Sequence, residues 1–213
     1  MNILTIPDVH GRKFWRQALE VINKVDKVVF LGDYLDPYDV TEEEALDEFK
    51  AILEFKQKYP NKVILLIGNH DCEYLWPDKF NNTCRHCYDI EEEAQELYRN
   101  NEFQLIYIQD NYLFSHAGVT KGWLNYVDLT LENLKILDFD LYKLDYIGWR
   151  RGGLDLYPSC IWCDILEFRN DLDYYQIFGH TQLKSEYISD KFACLDARKC
   201  FILKEGKIDV LSN

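Results

Sequence analysis

The sequence predicts an α/β fold, and three observations carry that expectation. Short apolar runs alternate with segments of helical periodicity through the first half of the chain. Five polar motifs each follow an apolar run directly, as loops at strand ends do. The last part of the chain returns to strand-like alternation around a Glu205-Gly206 turn. With 213 residues, 47% of them apolar, the chain can bury a substantial core, and no Gly/Ser/Pro-rich stretch marks a linker. Residues 1–213 are therefore expected to form a single domain.

In chain order, 2–6 reads as a short strand, and 13–25 carries Phe14, Ala18, Val21 and Ile22 at helical spacing. A second strand over 28–31 completes a β-α-β unit. Thr41 with Glu44 three residues later is a capping box ahead of Leu46, Phe49, Ile52 and Leu53, a helix that ends near Tyr59-Pro60. A third strand follows over 62–67. Segment 90–100 predicts an acidic surface helix, and 103–108 with 112–115 a hairpin across Gln109-Asp110-Asn111. From 121 to 173 the pattern is mixed, with weak helical periodicity over 131–137 and an Arg150-Arg151-Gly152-Gly153 loop. A strand over 174–178 leads to His180, and alternation over 192–195 and 201–211 predicts that the tail forms an antiparallel second sheet.

Lys plus Arg number 24 against 37 Asp plus Glu, and a net charge of -13 opposes approach of a long polyanion, so no long nucleic-acid partner is expected. Much of that acidity reads as solvated surface: Glu42-Glu43-Glu44 and Glu91-Glu92-Glu93 look like first helical turns, where carboxylates favour the dipole. No run approaches a membrane span, and the N-terminus has neither a charged n-region nor a cleavage site. A cytoplasmic location without membrane attachment is the expectation. Seven cysteines without a secretion signal argue against a disulfide framework. The pairs Cys84/Cys87 and Cys160/Cys163 could combine as a four-thiolate zinc site, but their separation is long. Beside Ile161 and Trp162, Cys160 and Cys163 read better as small buried hydrophobes, and His86 follows the same reading.

Four of the five histidines lie in four ordered motifs: Asp8-Val9-His10-Gly11, Gly68-Asn69-His70-Asp71, Ser115-His116-Ala117-Gly118 and Gly179-His180-Thr181. A fifth motif, Gly32-Asp33-Tyr34-Leu35-Asp36, follows an apolar run in the same way. Any one of them is unremarkable as a loop carboxylate or a solvated histidine. Together they place carboxylates, imidazoles and one carboxamide at strand ends, where open α/β sheets gather ligands and where hard-to-borderline divalent metals find donors.

In this order the motifs resemble the calcineurin-like metallophosphoesterases, whose signature runs Asp-x-His, Gly-Asp, Gly-Asn-His-Asp/Glu, a later His and Gly-His. The match spans residues 8 to 181 and is most similar to the phosphoprotein (Ser/Thr) phosphatase-like branch. The resemblance implies a four-layer α-β-β-α sandwich and metal-dependent hydrolysis of phosphoric esters. It implies two divalent metal ions, with Asp8 and His10 on the first, Asp33 bridging, and Asn69, His116 and His180 on the second. Manganese is the expected activating ion; iron, zinc, nickel and magnesium are alternatives, because such ligands do not select sharply. His70 is implied as the general acid that protonates the leaving alkoxide. Such an acid needs an orienting carboxylate, for which Gly-Asp-Tyr-x-Asp points to Asp36, with Asp71 as second candidate.

The chain also departs from that branch. Pro37 stands where the protein phosphatases carry a phosphate-binding arginine, so a replacement is expected from Arg151 or Arg150, beside two glycines, or from Arg12. Gln182 stands where diesterase and nuclease branches commonly carry a second histidine, which favours phosphomonoesters. The expected partner is thus a phosphorylated small molecule or a phosphoprotein. A nucleotide or nucleic-acid phosphodiesterase is the alternative enzyme. An inactive fold used as a binding scaffold is the alternative of another class, against which retention of every ligand and of His70 argues. The segment Ile161-Trp162-Cys163-Asp164 is similar to a Trp-x-Asp stretch that precedes the last histidine in phosphoprotein phosphatases. Tyr34, Tyr38, Tyr74 and Trp76 flank the motifs and are assigned to packing.

Overall fold

The computed structural model describes residues 1–80 and 85–211. Strand β1 (Asn2–Ile6) is followed by a 3-10 turn (Lys13–Arg16), α1 (Gln17–Val21), β2 (Lys27–Phe30), α2 (Glu42–Lys58) and β3 (Val63–Leu65). Then come α3 (Asp71–Leu75), α4 (Glu91–Arg99), β4 (Ile106–Gln109), β5 (Tyr112–Ser115), α5 (Lys121–Tyr126) and α6 (Leu131–Ile136). Two 3-10 turns (Leu141–Leu144 and Trp149–Arg151) lead to β6 (Tyr175–Phe178), β7 (Tyr187–Ile188), β8 (Phe192–Cys194), β9 (Phe201–Lys204) and β10 (Lys207–Val210).

Among the described residues the strands form two five-stranded mixed sheets, ordered β10-β9-β1-β2-β3 and β4-β5-β6-β8-β7. Period-two alternation sorts their side chains into layers. Ile3, Val29 and Ile64 of the first sheet meet Phe114, Ile177 and Ala193 of the second in a shared inner core. Leu4, Val28 and Phe30 point the other way, onto Trp15, Phe49 and Ile52 of the first helical layer. Ile106 and Leu113 of the second sheet pack with Trp123, Leu124 and Leu134 of the other. The result is helix, sheet, sheet, helix. Strands β1, β2 and β3 are mutually parallel, as are β5, β6 and β8, so all six direct their C-terminal ends into loops at matching edges.

The Thr41/Glu44 capping box is present: the Glu44 amide donates to Thr41 Oγ1 at 3.1 Å and the Thr41 amide to Glu44 Oε2 at 3.0 Å. Two expectations need correction. The helix expected over 13–25 begins as a 3-10 turn and is short, because extended Arg12 offers no side-chain cap to its first amides. The tail does not build an antiparallel second sheet. Instead β9 and β10 add antiparallel to the open edge of β1, while β8 runs parallel to β6. Alternation reveals a strand but not its partner, and here Phe201 and Leu203 complete the inner core beside Ile3. Helix α3 lies in a stretch to which the sequence pattern assigned no element. The six described cysteines are buried free thiols. Cys84 lies outside the described residues, and Cys87 and Cys160 pack in different cores.

Phe49 is fully buried, with ring centroids 4.6 Å from Tyr98 and 5.3 Å from Tyr34. Phe49→Ala should therefore destabilise the protein by about 3–5 kcal/mol, as cavity-forming truncations of buried aromatics do. Urea unfolding followed by circular dichroism measures it, and a loss below about 1 kcal/mol would show that this layer is not close-packed.

Candidate metal centre and active site

The five motifs meet because the strands before them end at one place. The loops after β1, β2, β3, β5 and β6 carry Asp8 and His10, Asp33 and Asp36, Asn69 to Asp71, His116, and His180. Backbone hydrogen bonds lock the loops together: the amides of Val9 and His10 donate to the Asp33 carbonyl at 3.0 and 2.8 Å, and Gly179 donates to the His116 carbonyl at 2.7 Å. His10, Asp33, Asp36 and His180 adopt left-handed backbone with φ between 45° and 62°. Each such residue costs roughly 1–2 kcal/mol, so the surrounding loops must hold it there. Two glycines allow the closest approaches. A Cβ on Gly68 would lie 2.1 Å from Asp33 Oδ1, and one on Gly179 2.2 Å from Asp8 Oδ1.

The donors converge on Asp33. Its Oδ2 lies 3.6 Å from His10 Nε2 and 3.5 Å from His116 Nε2, while its Oδ1 accepts the His70 amide at 3.0 Å. His116 Nε2 in turn lies 3.0 Å from both Asn69 Oδ1 and His180 Nδ1. The ring tautomers follow from the far nitrogens. His10 Nδ1 is 2.8 Å from the Leu35 carbonyl and His116 Nδ1 2.8 Å from the Leu31 carbonyl. A carbonyl only accepts, so each Nδ1 carries the hydrogen and each Nε2 presents a lone pair to the cluster. Asp8 accepts the His180 amide on both oxygens, at 3.0 and 3.1 Å.

All of these groups are buried, and burial governs their protonation. It raises Asp33 well above the usual carboxylate range, reinforced by Asp8 and Asp71, and raises Asp8 to about 6. It holds His10 and His180 well below the ordinary imidazole value and His116 at about 4. Neutral imidazoles and buried carboxylates thus face one another across lone pairs, and among the described residues His180 Nε2 is buried without a hydrogen-bond partner. This donor set fits divalent cations, whose charge would restore the ionised carboxylates and use the lone pairs. Two groupings, His10/Asp33/His70 and Asp33/His116/His180, have ligand atoms close enough to hold an ion, and they share Asp33.

The cluster opens on a cavity of about 280 Å³ lined by Asp8, His10, Asp33, Asn69, His70 and His180. His70 Nδ1 lies 2.6 Å from Asp36 Oδ2, and Asp36 Oδ1 accepts from the Tyr74 hydroxyl. Asp71, the other candidate partner of His70, is engaged elsewhere. Its Oδ2 accepts the amides of Asp33 and Gly68 at 2.8 and 2.7 Å, and its Oδ1 accepts the Tyr34 amide at 3.1 Å and the Tyr98 hydroxyl at 2.5 Å. It ties the loops after β2 and β3 together.

Of the three arginine candidates, Arg151 and Arg12 line the cavity. Arg151 donates from Nη2 to the His180 carbonyl at 3.1 Å and to Thr181 Oγ1 at 3.0 Å, and pairs with Asp164 at 3.2 Å. Arg150 does not reach it: exposed, it stacks on Trp149 with its guanidinium carbon 4.2 Å from the ring centroid. Trp162 reaches the site edge-on to His180, at 5.9 Å between centroids. Tyr34 and Tyr74 are core residues, as expected, but Tyr38 lines the cavity in edge contact with His10 at 5.0 Å. Asp196 and Arg198, which sequence reasoning missed, also line it. A signal for them existed: they follow the run that becomes β8, just as the motifs follow their strands. Burial, with Asp8 close by, pushes Asp196 up to about 8.

A four-layer sandwich whose parallel strands deliver buried carboxylates and imidazoles to one cavity defines a metal-dependent hydrolase of phosphoric esters. A family model for calcineurin-like phosphoesterases matches residues 1–184, and the chain belongs to that family. No curated protein matches the chain by sequence. Solved structures share the fold. A cold-active protein-tyrosine phosphatase from a psychrophilic Shewanella species is 16% identical with a TM-score of 0.65, over 99% of this chain and 80% of that one. A protein serine/threonine phosphatase from Saccharomyces cerevisiae is 14% identical with a TM-score of 0.61, over 100% and 80% of the two chains. The phosphoesterase Yfce from E. coli is 14% identical with a TM-score of 0.50, over 100% and 93%. No helix among the described residues is long and apolar enough to cross a membrane.

Because the cluster binds cations only when folded, exhaustive chelation should lower the melting temperature and added manganese should restore it. At a free concentration a hundredfold above Kd the gain is about 2.7 kcal/mol, or about 5–10 °C for a chain of this size. Asp33→Asn should abolish the response; an unchanged manganese-dependent shift in that variant would remove Asp33 from the site.

Proposed function

We propose that residues 1–213 act as one domain that hydrolyses phosphomonoesters at a binuclear centre in the cytoplasm. The observation that carries this reading is the position of Asp33 Oδ2, 3.6 Å from His10 Nε2 and 3.5 Å from His116 Nε2. One carboxylate oxygen flanked by two imidazole lone pairs is the arrangement of a bridging ligand. Asp8 and His10 would hold one cation with Asp33, and Asn69, His116 and His180 the other. When bound, such a pair supplies hydroxide at neutral pH and offsets charge on the phosphoryl oxygens. Manganese is the first ion to supply, with iron, zinc, nickel and magnesium as substitutes.

The remaining residues bind and move protons. Asp36 accepts from His70 Nδ1, so the transferable proton sits on Nε2 and leaves toward the alkoxide. Arg151, held by Asp164 and Thr181, donates to the oxygens of the scissile phosphate, taking the part for which Pro37 offers nothing. Gln182 supports monoesters over diesters, because its carboxamide is directed to Arg198: oriented with its oxygen toward the guanidinium, as the donors there require, it accepts from Nε at 3.2 Å and Nη2 at 2.8 Å. The free, buried state of the described cysteines suits a reducing compartment.

With manganese, the enzyme should turn over p-nitrophenyl phosphate and leave its bis-ester nearly untouched; the reverse preference would overturn the monoesterase reading. His70→Ala should lower kcat by about 10²–10⁴-fold while retaining metal, whereas Asp33→Asn should lose both. Arg151→Ala should raise KM and lower kcat/KM by about 10- to 100-fold, the worth of hydrogen bonds to a charged group. Kinetics unchanged from wild type in the Arg151 variant would take that residue out of the site.

A further inference from the structure

One wall of the cavity carries two guanidinium groups that the proposed chemistry does not use. Arg12 and Arg198 both face the cavity, and both are tied to Asp39: Arg12 Nε lies 3.0 Å from Asp39 Oδ1 and Arg198 Nη1 3.2 Å from Asp39 Oδ2. Asp39 itself is half-exposed and lies outside the cavity lining. One external carboxylate therefore holds two cations side by side and neutralises one of them. Asp196, the other acid in that wall, makes an ion pair with neither arginine among the described residues. Gln182 fixes Arg198 from a further side through Nε and Nη2. Arg12 gives Nη1 to the Val9 carbonyl at 3.4 Å and keeps Nη2 without a protein partner among the described residues.

Three features give this pair a built character. Arg198 is held in left-handed backbone, φ 57°, immediately beyond the strand end that also delivers Asp196 to the cavity. Two guanidinium groups sharing one anchor are held side by side, and Arg12 Nη2 together with the terminal N–H groups of Arg198 not given to Asp39 or Gln182 can donate to a tetrahedral dianion. In a chain of net charge -13, the cavity gathers three arginines, Arg12, Arg151 and Arg198, alongside three aspartates, Asp8, Asp33 and Asp196. The end of the cavity beside His180 already has its own arginine, Arg151, through the His180 carbonyl.

We propose that Arg12 and Arg198 form a second anion subsite, which holds a phosphoryl group of the substrate other than the one being hydrolysed. The preferred substrate is then a small molecule with at least two phosphoryl groups. This rests on the phosphomonoesterase reading and narrows it. Gln182 is a positioning residue for Arg198.

The test uses the manganese-loaded enzyme and two esters with related leaving groups, phenyl phosphate and 4-(phosphonomethyl)phenyl phosphate. Wild type should favour the second by tenfold or more in kcat/KM, about the worth of one charge-assisted contact. Arg198→Ala should remove that preference, Arg198→Lys should recover part of it, and Gln182→Ala should weaken it mainly through KM. Calorimetry with benzylphosphonate and 1,4-phenylenebis(methylphosphonate) reads the same subsite without turnover. Wild type should bind the bisphosphonate more tightly, and Arg198→Ala should lose the difference. Equal handling of both esters and both phosphonates by wild type, or a preference that survives Arg198→Ala, overturns the subsite. If neither ester is hydrolysed while the bisphosphonate preference is present and depends on Arg198, the subsite stands and the phosphomonoesterase reading fails.

Discussion

The burial of Asp33 among imidazoles sets the conditions for the rest of the molecule. A carboxylate 2% exposed, with Asp8 and Asp71 nearby, cannot remain ionised on the strength of one amide hydrogen bond from His70. The cluster has few N–H groups left to give. His10 and His116 have turned their protons outward to the Leu35 and Leu31 carbonyls, so their inner nitrogens add lone pairs to a site already rich in them. A cation in the cluster would restore the ionised carboxylate. The left-handed φ values at His10, Asp33, Asp36 and His180 follow from the same demand, because each loop must turn sharply enough to aim a side chain back at the strand end it came from.

That demand also explains Asp71. Four donors surround its carboxylate: the amides of Asp33, Tyr34 and Gly68 and the Tyr98 hydroxyl. Three of the four come from the loops that carry Asp33 and Asn69, and the fourth reaches in from α4. Asp71 thus acts as an internal cap that satisfies turn amides which the left-handed residues would otherwise leave unpaired. A residue next to a histidine in a motif therefore serves the backbone, and only its hydrogen-bond partners reveal the difference.

How much could be read from the chain alone follows the same division. Features set by local spacing were legible: the placement of Asp8 and His10 together at one strand end, the capping box of α2, and the alternation of strand, motif and helix behind the fold class. Residues that act through tertiary partners were not. Arg150 and Arg151 are adjacent in a 3-10 turn, where successive side chains diverge by roughly 120°, so one packs on Trp149 in solvent and the other enters the cavity. Nothing in an Arg-Arg-Gly-Gly stretch selects between them. The tail was misassigned for a related reason: strand alternation is a property of one segment, but β9 finds its place because β1 has an unoccupied edge.

The proposed acid and the proposed metal ligands hang from different supports. The ligands are carried by strand ends, whereas the His70 side chain is aligned by Asp36, which is held by Tyr74 of α3, whose hydroxyl accepts the Cys87 amide at 2.9 Å. Yet the His70 amide donates to the same carboxylate that its neighbours approach with lone pairs. The backbone of the acid therefore helps fix the central ligand, while its side chain is set by a second network. Changes at Tyr74 should act on the orientation of the His70 ring, whereas changes that shift the 68–71 loop act on Asp33 and on His70 together. The two networks separate at the side chain and are joined at the main chain of the loop after β3.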